Sequence, residues 1–235
     1  MKQRIIPVLL ALLLLLAACA GPSPETSPVC VPETTQPTLS STESTPELSS
    51  QEPAPEDFVR VLDYIPNARQ ALPYATEQNF TGQKIYTFTD AYLRYGTVKK
   101  LSAVSEDLAE LGLYLLIWDG FRPVSAQYRL WEICPDPAYV ADPTKGFSSH
   151  SRGNTVDITL VDAQGDELEM PTAFDDFSAR ADRNYSDCTE TAAAHAQILE
   201  IIMEKHGFAG YSQEWWHFSD TDEYPVEEQF CPPGA

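Results

Sequence analysis

Two histidines, an aspartate and a glutamate stand in an arrangement that suits a hydrolytic metal centre. His150 and Asp157 lie in one segment, and Glu214 and His217 bound the short run Glu214-Trp215-Trp216-His217 near the C-terminus. Zinc in hydrolytic sites takes three protein ligands, drawn from His and Asp or Glu, and leaves a fourth position to water. His150, Asp157 and His217 match that donor set, so one zinc ion per chain is the expected cofactor. Glu214, unligated beside them, is the expected general base. The other two histidines suit structural duties. His195 sits in an alanine-rich stretch, and His206 stands near the C-terminal end of the same predicted helix, where an imidazolium is favoured by the helix dipole.

These side chains need a loop and two strands to bring them together. The stretch 142–153, rich in Ser, Gly and Pro, reads as the loop that delivers His150. Val156-Asp157-Ile158-Thr159-Leu160 alternates apolar and polar, which predicts a strand with Asp157 and Thr159 on a polar face and the aliphatics in the core. A carboxylate in mid-strand needs a partner, and a metal supplies one. Residues 215–218 have the aromatic content of a strand. In a regular strand Glu214 and His217 would fall on opposite faces, so a bend or bulge is required between them, with Glu214 in the entry to the strand.

Elsewhere, Val98, Leu101, Val104, Leu108 and Leu111 fall at helical spacing, predicting a helix over 97–112 stopped by Gly112. The apolar run 113–118 predicts a strand that Asp119-Gly120 ends with a turn, and Arg122 follows immediately before Pro123. A second helix is expected over 126–133, broken by Cys134-Pro135-Asp136-Pro137. A third runs over 192–205, with Asp187 and Glu190 as a capping-box-like start. Residues 66–80, which hold Tyr74, read as an arm or loop leading to a turn at Asn79-Phe80-Thr81-Gly82, and 174–185 as irregular. Helices alternating with strands predict an α+β fold, a single domain over 58–235 with a small central antiparallel sheet flanked by helices.

The 35 acidic residues against 15 basic give a net charge of -20, which opposes binding to nucleic acid or to anionic lipid head groups. Residues 1–18 read as a signal peptide: Lys2 and Arg4 precede an apolar run too short to span a bilayer, and small residues follow. Leu16-Ala17-Ala18-Cys19 resembles a bacterial lipobox, which implies cleavage before Cys19 and attachment of lipid to its sulfur. Residues 19–57, dominated by Ser, Thr, Pro and Glu, read as a disordered tether. The chain is therefore expected to be an exported bacterial lipoprotein at the outer face of the membrane, touching it through Cys19 alone. Cys30, Cys134, Cys188 and Cys231 allow three disulfide pairings, and free thiols are the other option.

Taken together, Ser148-Ser149-His150-Ser151-Arg152-Gly153 with Asp157, Glu214-Trp215-Trp216-His217, Trp118-Asp119-Gly120-Phe121-Arg122-Pro123, Tyr74-Ala75-Thr76 and Asn79-Phe80-Thr81-Gly82 resemble the zinc D-alanyl-D-alanine dipeptidases of the vancomycin-resistance type. The likeness runs from about residue 62 to 225. It implies that His150, Asp157 and His217 bind zinc and that Glu214 moves the proton from the attacking water to the leaving amine. It further implies that Arg122 stabilises the oxyanion, and that Ser148, Tyr74 and Asp175 line the substrate site, Asp175 holding the substrate ammonium. The implied substrate is a small D,D-dipeptide or a wall peptide. The resistance-type enzymes act on a cytoplasmic pool, so export points instead to salvage of D-alanine or trimming of wall peptides. Two alternatives are a D,D-carboxypeptidase acting on peptidoglycan stems and a zinc-containing wall-peptide binding module without catalysis.

Overall fold

Apolar residues at strand and helix periods build a central sheet covered by two long helices. The computed structural model describes residues 52–137 and 139–235; the expected signal peptide, Cys19 and the expected tether up to residue 51 lie outside them. In chain order the elements are β1 (Phe58–Arg60), α1 (Val61–Tyr64), β2 (Arg69–Gln70), a 3-10 turn (Pro73–Ala75), β3 (Tyr92–Arg94), α2 (Tyr95–Glu110) and β4 (Tyr114–Asp119). There follow α3 (Val124–Ile133), a 3-10 turn (Ser149–Arg152), β5 (Thr155–Val161), a 3-10 turn (Ala179–Ala181), α4 (Glu190–Lys205), β6 (Phe208–Tyr211) and β7 (Glu214–Asp220). The fold is α+β. No helix among the described residues is long and apolar enough to cross a membrane.

Five strands form the main sheet in the order β2-β4-β5-β7-β6, and β1 pairs with β3 separately. The sheet is mixed rather than antiparallel throughout, because β2 runs parallel to β4. Parallel neighbours need a long crossover, and the chain supplies one through β3 and α2 before it enters β4. Leu115, Ile117, Val156, Ile158, Leu160 and Phe218 pair across β4, β5 and β7 on one face. Against that side pack α2, through Val98, Leu101, Val104 and Leu108, and α4, through Leu199 and Met203. Leu111 departs from the expected stripe: it caps α2 and is 58% exposed, and Gly112 stops the helix at φ 72°.

The opposite face carries Asp157 and Thr159, as the alternation predicts, but it is not open to water. β5 is the central strand, and every residue in it is buried on both faces. Burial turns the polar alternation into a demand for partners rather than a sign of solvent. Two other readings change. α4 is capped by Thr189, whose Oγ1 accepts the Ala192 N–H at 3.0 Å, so no Asp187–Glu190 box forms. Residues 52–57, placed by sequence in the tether, are docked on the domain. Gly96 N donates to the Pro55 carbonyl at 2.9 Å, and Arg94 Nη1 to that of Glu56 at 2.7 Å. Cys134 and Cys188 are free thiols and Cys231 is disulfide-bonded, so none of the complete two-disulfide pairings forms.

The cap at Thr189 gives a direct check on this account of α4. Thr189→Ala removes the side-chain acceptor and is expected to destabilise the domain by about 1 kcal/mol, read as a lower denaturant midpoint with an unchanged slope.

Candidate active site and metal centre

The polar face of the sheet sets three functional side chains in a row. Asp119 on β4 pairs with Asp157 on β5, and Asp157 pairs with His217 on β7. The row depends on a break in β4 register between Ile117 and Asp119; in an unbroken ladder Trp118 would oppose Asp157. A second irregularity meets the parity requirement at Glu214 and His217. Gly210 pairs with Phe218 but the adjacent Tyr211 pairs with Glu214, so Glu214-Trp215-Trp216-His217 bulges out of register. Glu214 thereby opens β7 and still reaches the face of His217, its Oε2 lying 3.5 Å from His217 Nδ1.

His150 arrives from the 3-10 turn. Ser148 caps that turn, accepting the His150 N–H on Oγ at 3.3 Å. Gly153 ends it at φ 76°, where any Cβ would collide with the Phe58 ring. His150 Nδ1 lies 2.8 Å from the Gly120 carbonyl, which assigns the ring proton to Nδ1 and turns the Nε2 lone pair inward. The turn is also fastened to the segment bearing Arg122: Arg122 N donates to the His150 carbonyl at 3.3 Å, and Ser151 Oγ to the Arg122 carbonyl at 2.9 Å.

His150 Nε2, Asp157 and His217 Nδ1 converge. His150 Nε2 lies 3.2 Å from Asp157 Oδ2 and 3.3 Å from His217 Nδ1, and His217 Nδ1 lies 3.0 Å from Asp157 Oδ1. Tetrahedral zinc with bonds of about 2.0–2.2 Å sets its ligand atoms roughly 3.3–3.6 Å apart, close to these gaps. Asp157 Oδ1 is buried and accepts no hydrogen bond despite its nearness to His217, as expected of an oxygen meant for a cation. Two imidazole nitrogens and a carboxylate oxygen fit zinc, and the outer nitrogens have partners, since His217 Nε2 lies 3.3 Å from Ser149 Oγ.

The remaining residues named from the sequence, Tyr74, Arg122, Ser148, Asp175 and Glu214, line the same cleft of about 290 Å³ as the three ligands. Burial pushes the Glu214 carboxyl above its ordinary range, which suits a group that must both take and return a proton. Burial likewise pushes the Asp175 carboxyl up, to about 7, partly offset by the Tyr74 hydroxyl that donates to its Oδ2 at 2.9 Å. His195 and His206 stay outside the cleft. His195 Nδ1 meets the Glu169 carbonyl at 2.9 Å, and His206 Nε2 meets Asp107 of α2 at 2.7 Å.

Sequence reasoning missed the residue that orders Arg122. Asp119 was read as a turn former, yet its carboxylate is fully buried. It accepts Arg122 Nε at 3.0 Å, Arg122 Nη2 at 2.6 Å, Tyr86 Oη at 2.8 Å and the Gly120 N–H at 2.9 Å. Gln127 Oε1 takes Arg122 Nη1 at 3.0 Å, and the Tyr74 ring lies 5.2 Å from the guanidinium carbon. Burial alone would lower the Arg122 pKa, but the Asp119 carboxylate together with Tyr86, Tyr74 and Asp157 outweighs it, so the cation is held. Asp119 stands three residues before Arg122 in the quoted motif, and that acid-base spacing was the available signal.

A buried metal-ligand triad, a protonatable carboxyl and a fixed guanidinium facing one small cleft make the arrangement that of a metallopeptidase. The family described as D-ala-D-ala dipeptidase matches residues 55–232. A D-alanyl-D-alanine dipeptidase of Escherichia coli K12 is 41% identical over 173 residues, covering 72% of this chain and 89% of that one. One from Enterococcus faecalis V583 is 33% identical over 190 residues, covering 72% and 94%. Among solved structures, the LdcB LD-carboxypeptidase is 17% identical with a TM-score of 0.42, over 73% of this chain and 70% of that one, a likeness that carries nothing further. The chain belongs to the D-ala-D-ala dipeptidase family.

Removing Asp119 tests its place in the site. Asp119→Ala leaves Arg122 buried without its counter-charge and is expected to destabilise the domain by about 3–5 kcal/mol in denaturant unfolding, much of which Asp119→Ala with Arg122→Met recovers.

Proposed function

We propose that this protein is a zinc-dependent D,D-dipeptidase that hydrolyses D-alanyl-D-alanine to two molecules of D-alanine at the outer face of the membrane. The observation that carries this reading is Glu214 beside the His150, Asp157 and His217 triad, in a cleft shared with Arg122 and Asp175. Relatives named D-alanyl-D-alanine dipeptidase support the substrate. So does the size of the cleft, at the small end of the roughly 300–1,000 Å³ usual for ligand pockets.

His150, Asp157 and His217 would hold the zinc ion, which would supply Lewis-acid polarisation and make water a better nucleophile near neutral pH. Glu214, its carboxyl raised by burial, accepts a proton from the attacking water and returns it to the departing amine, so that one residue serves as base and then as acid. Arg122 commits three of its five N–H donors to Asp119 and Gln127 and offers the rest to the developing oxyanion. Asp175 is the carboxyl in the cleft that belongs neither to the triad nor to the proton path, and it receives the substrate ammonium. Ser148 lines the cleft where it caps the turn bearing His150.

An anchor on Cys19 would place this chemistry outside the cell, where dipeptide from wall turnover is the accessible pool. The lipobox-like stretch before Cys19 and the polar segment after it support that placement. Mass spectrometry of the mature protein is expected to find Cys19 as a lipidated N-terminus; an unlipidated end elsewhere removes the anchor from the proposal.

For the activity, zinc content and D-alanine release are measured together. Glu214→Gln is expected to keep its zinc while kcat falls by about 10²–10⁴, and Arg122→Lys to lower kcat by about 10²–10³. A zinc-loaded wild type that releases no D-alanine from the dipeptide overturns the proposal.

A further inference from the structure

The hairpin that carries Glu214 and His217 is braced by a cation that does not line the cleft. Gly210 of β6 opposes Phe218 of β7, so in an unshifted ladder Tyr211 would oppose His217; instead Tyr211 pairs with Glu214. Residues 215–217 of β7 are therefore left without a β6 residue in register. Such a shift parts backbone carbonyls from the donors a regular ladder would bring, and another group has to bridge it. Arg183 does so. Its Nε donates to the Tyr211 carbonyl at 2.9 Å and its Nη2 to the His217 carbonyl at 2.9 Å, so one planar guanidinium spans both strands at the shift. The Arg183 backbone N–H adds the Ser212 carbonyl at 3.1 Å. The guanidinium carbon lies 4.3 Å from the Phe218 ring centre, and Nη1 lies 3.3 Å from Glu200 Oε1 on α4, with the side chain only 10% exposed. Gly210 leaves the space for it. A Cβ there would stand 2.3 Å from the guanidinium carbon, and a group fastened to two carbonyls and a carboxylate cannot step aside without releasing them.

We infer that Arg183 is a positioning residue for the reaction: by clasping the Tyr211 and His217 carbonyls it holds the shifted stretch of β7 in shape and so sets Glu214 against the metal-binding triad. The inference rests on the reading above in which Glu214 carries the proton. The two groups on β7 depend on the clasp unequally. His217 is held on its other side as well, paired with Asp157 of β5. Glu214 lies beyond the last β5 pair and joins the sheet only through Tyr211. Without the clasp, the β5 ladder still presents His217 to a metal, while Glu214 swings with the loosened hairpin. A reacting group displaced by about 1 Å loses on the order of 10² in rate. Substrate binding, which uses other walls of the cleft, changes little, so the loss falls on kcat rather than KM.

The test uses the full zinc-loaded chain with D-alanyl-D-alanine as substrate, and amide hydrogen exchange is followed on the same samples. Arg183→Met, which keeps the bulk of the stem and removes every donor, is expected to retain its zinc and to lower kcat by about 10²-fold with KM little changed. Exchange over residues 211–217 is expected to quicken by at least about tenfold while that of β5 is unaltered. Gly210→Ala, which expels the guanidinium with Arg183 left in place, is expected to lower kcat in the same way. The two substitutions together are expected to cost no more than Arg183→Met alone, because no guanidinium is left to displace. In a Glu214→Gln background, where the proton carrier is already lost, Arg183→Met is expected to lower kcat hardly further. The inference is overturned if folded, loaded Arg183→Met and Gly210→Ala both keep the wild-type kcat. It is equally overturned if Glu214→Gln leaves the loss from Arg183→Met undiminished, the mark of a merely structural role. Should Arg183→Met fail to fold, Gly210→Ala decides alone. A wild type inactive on the dipeptide overturns the dipeptidase reading itself, and the exchange comparison then still decides whether Arg183 holds the hairpin.

Discussion

One carboxylate that no water reaches sets the geometry of the site. Asp119 is fully buried at the end of β4, and the protein satisfies it with a guanidinium, a phenol and a backbone N–H. An exposed pair of the same kind contributes roughly 0–1 kcal/mol and lets its side chains wander. A buried carboxylate stripped of its partner costs several kcal/mol, so neither Arg122 nor the Gly120 peptide is free to leave. Both have second duties. Arg122 presents its uncommitted donors to the cleft, and the Gly120 carbonyl fixes the tautomer of His150. The charge needed in the reaction and the lone pair needed for a metal are therefore oriented from one buried atom group.

Backbone register does the rest. β-strands alternate sides strictly, so functional groups from three adjacent strands meet on one face only where the ladder permits. Two local departures supply that permission, at Trp118 in β4 and along residues 214–217 in β7. On the other face Val156, Ile158 and Leu160 meet Leu115, Ile117 and Phe218 without interruption, so the core under the helices is built on regular pairing. The apolar face carries the stability that lets the polar face be irregular.

Much of this was readable from residue types and spacing, and what was not has physical reasons. Helical periodicity located α2, and a run of helix-forming residues located most of α4, because both are local signals. The triad was legible because zinc accepts few donor types, and the conflict between Glu214 and His217 announced a bulge because strand parity is rigid. Burial was harder. Asp157 and Thr159 read as a polar face, yet β5 is central, and centrality is a property of pairing order that no single segment displays. The parallel edge strand β2 is two residues long and had no period to detect. Asp119 followed by glycine carried a turn signal, and only the fold reveals that its carboxylate turns inward to Arg122 and Tyr86.

The out-of-register run in β7 bears on whether this half-site could be moved to another scaffold. An acid and a histidine three positions apart share one side of an α-helix without help, since three and four residues make about one turn. On an extended chain the same spacing sends them apart, and here they are reunited by a departure that β6 must accommodate residue for residue. Copying Glu214 and His217 into a regular strand would therefore carry the letters and lose the site. The smallest portable unit is the whole β6–β7 hairpin, its pairing and the Arg183 guanidinium included, and a designer would have to treat that backbone as part of the catalytic group.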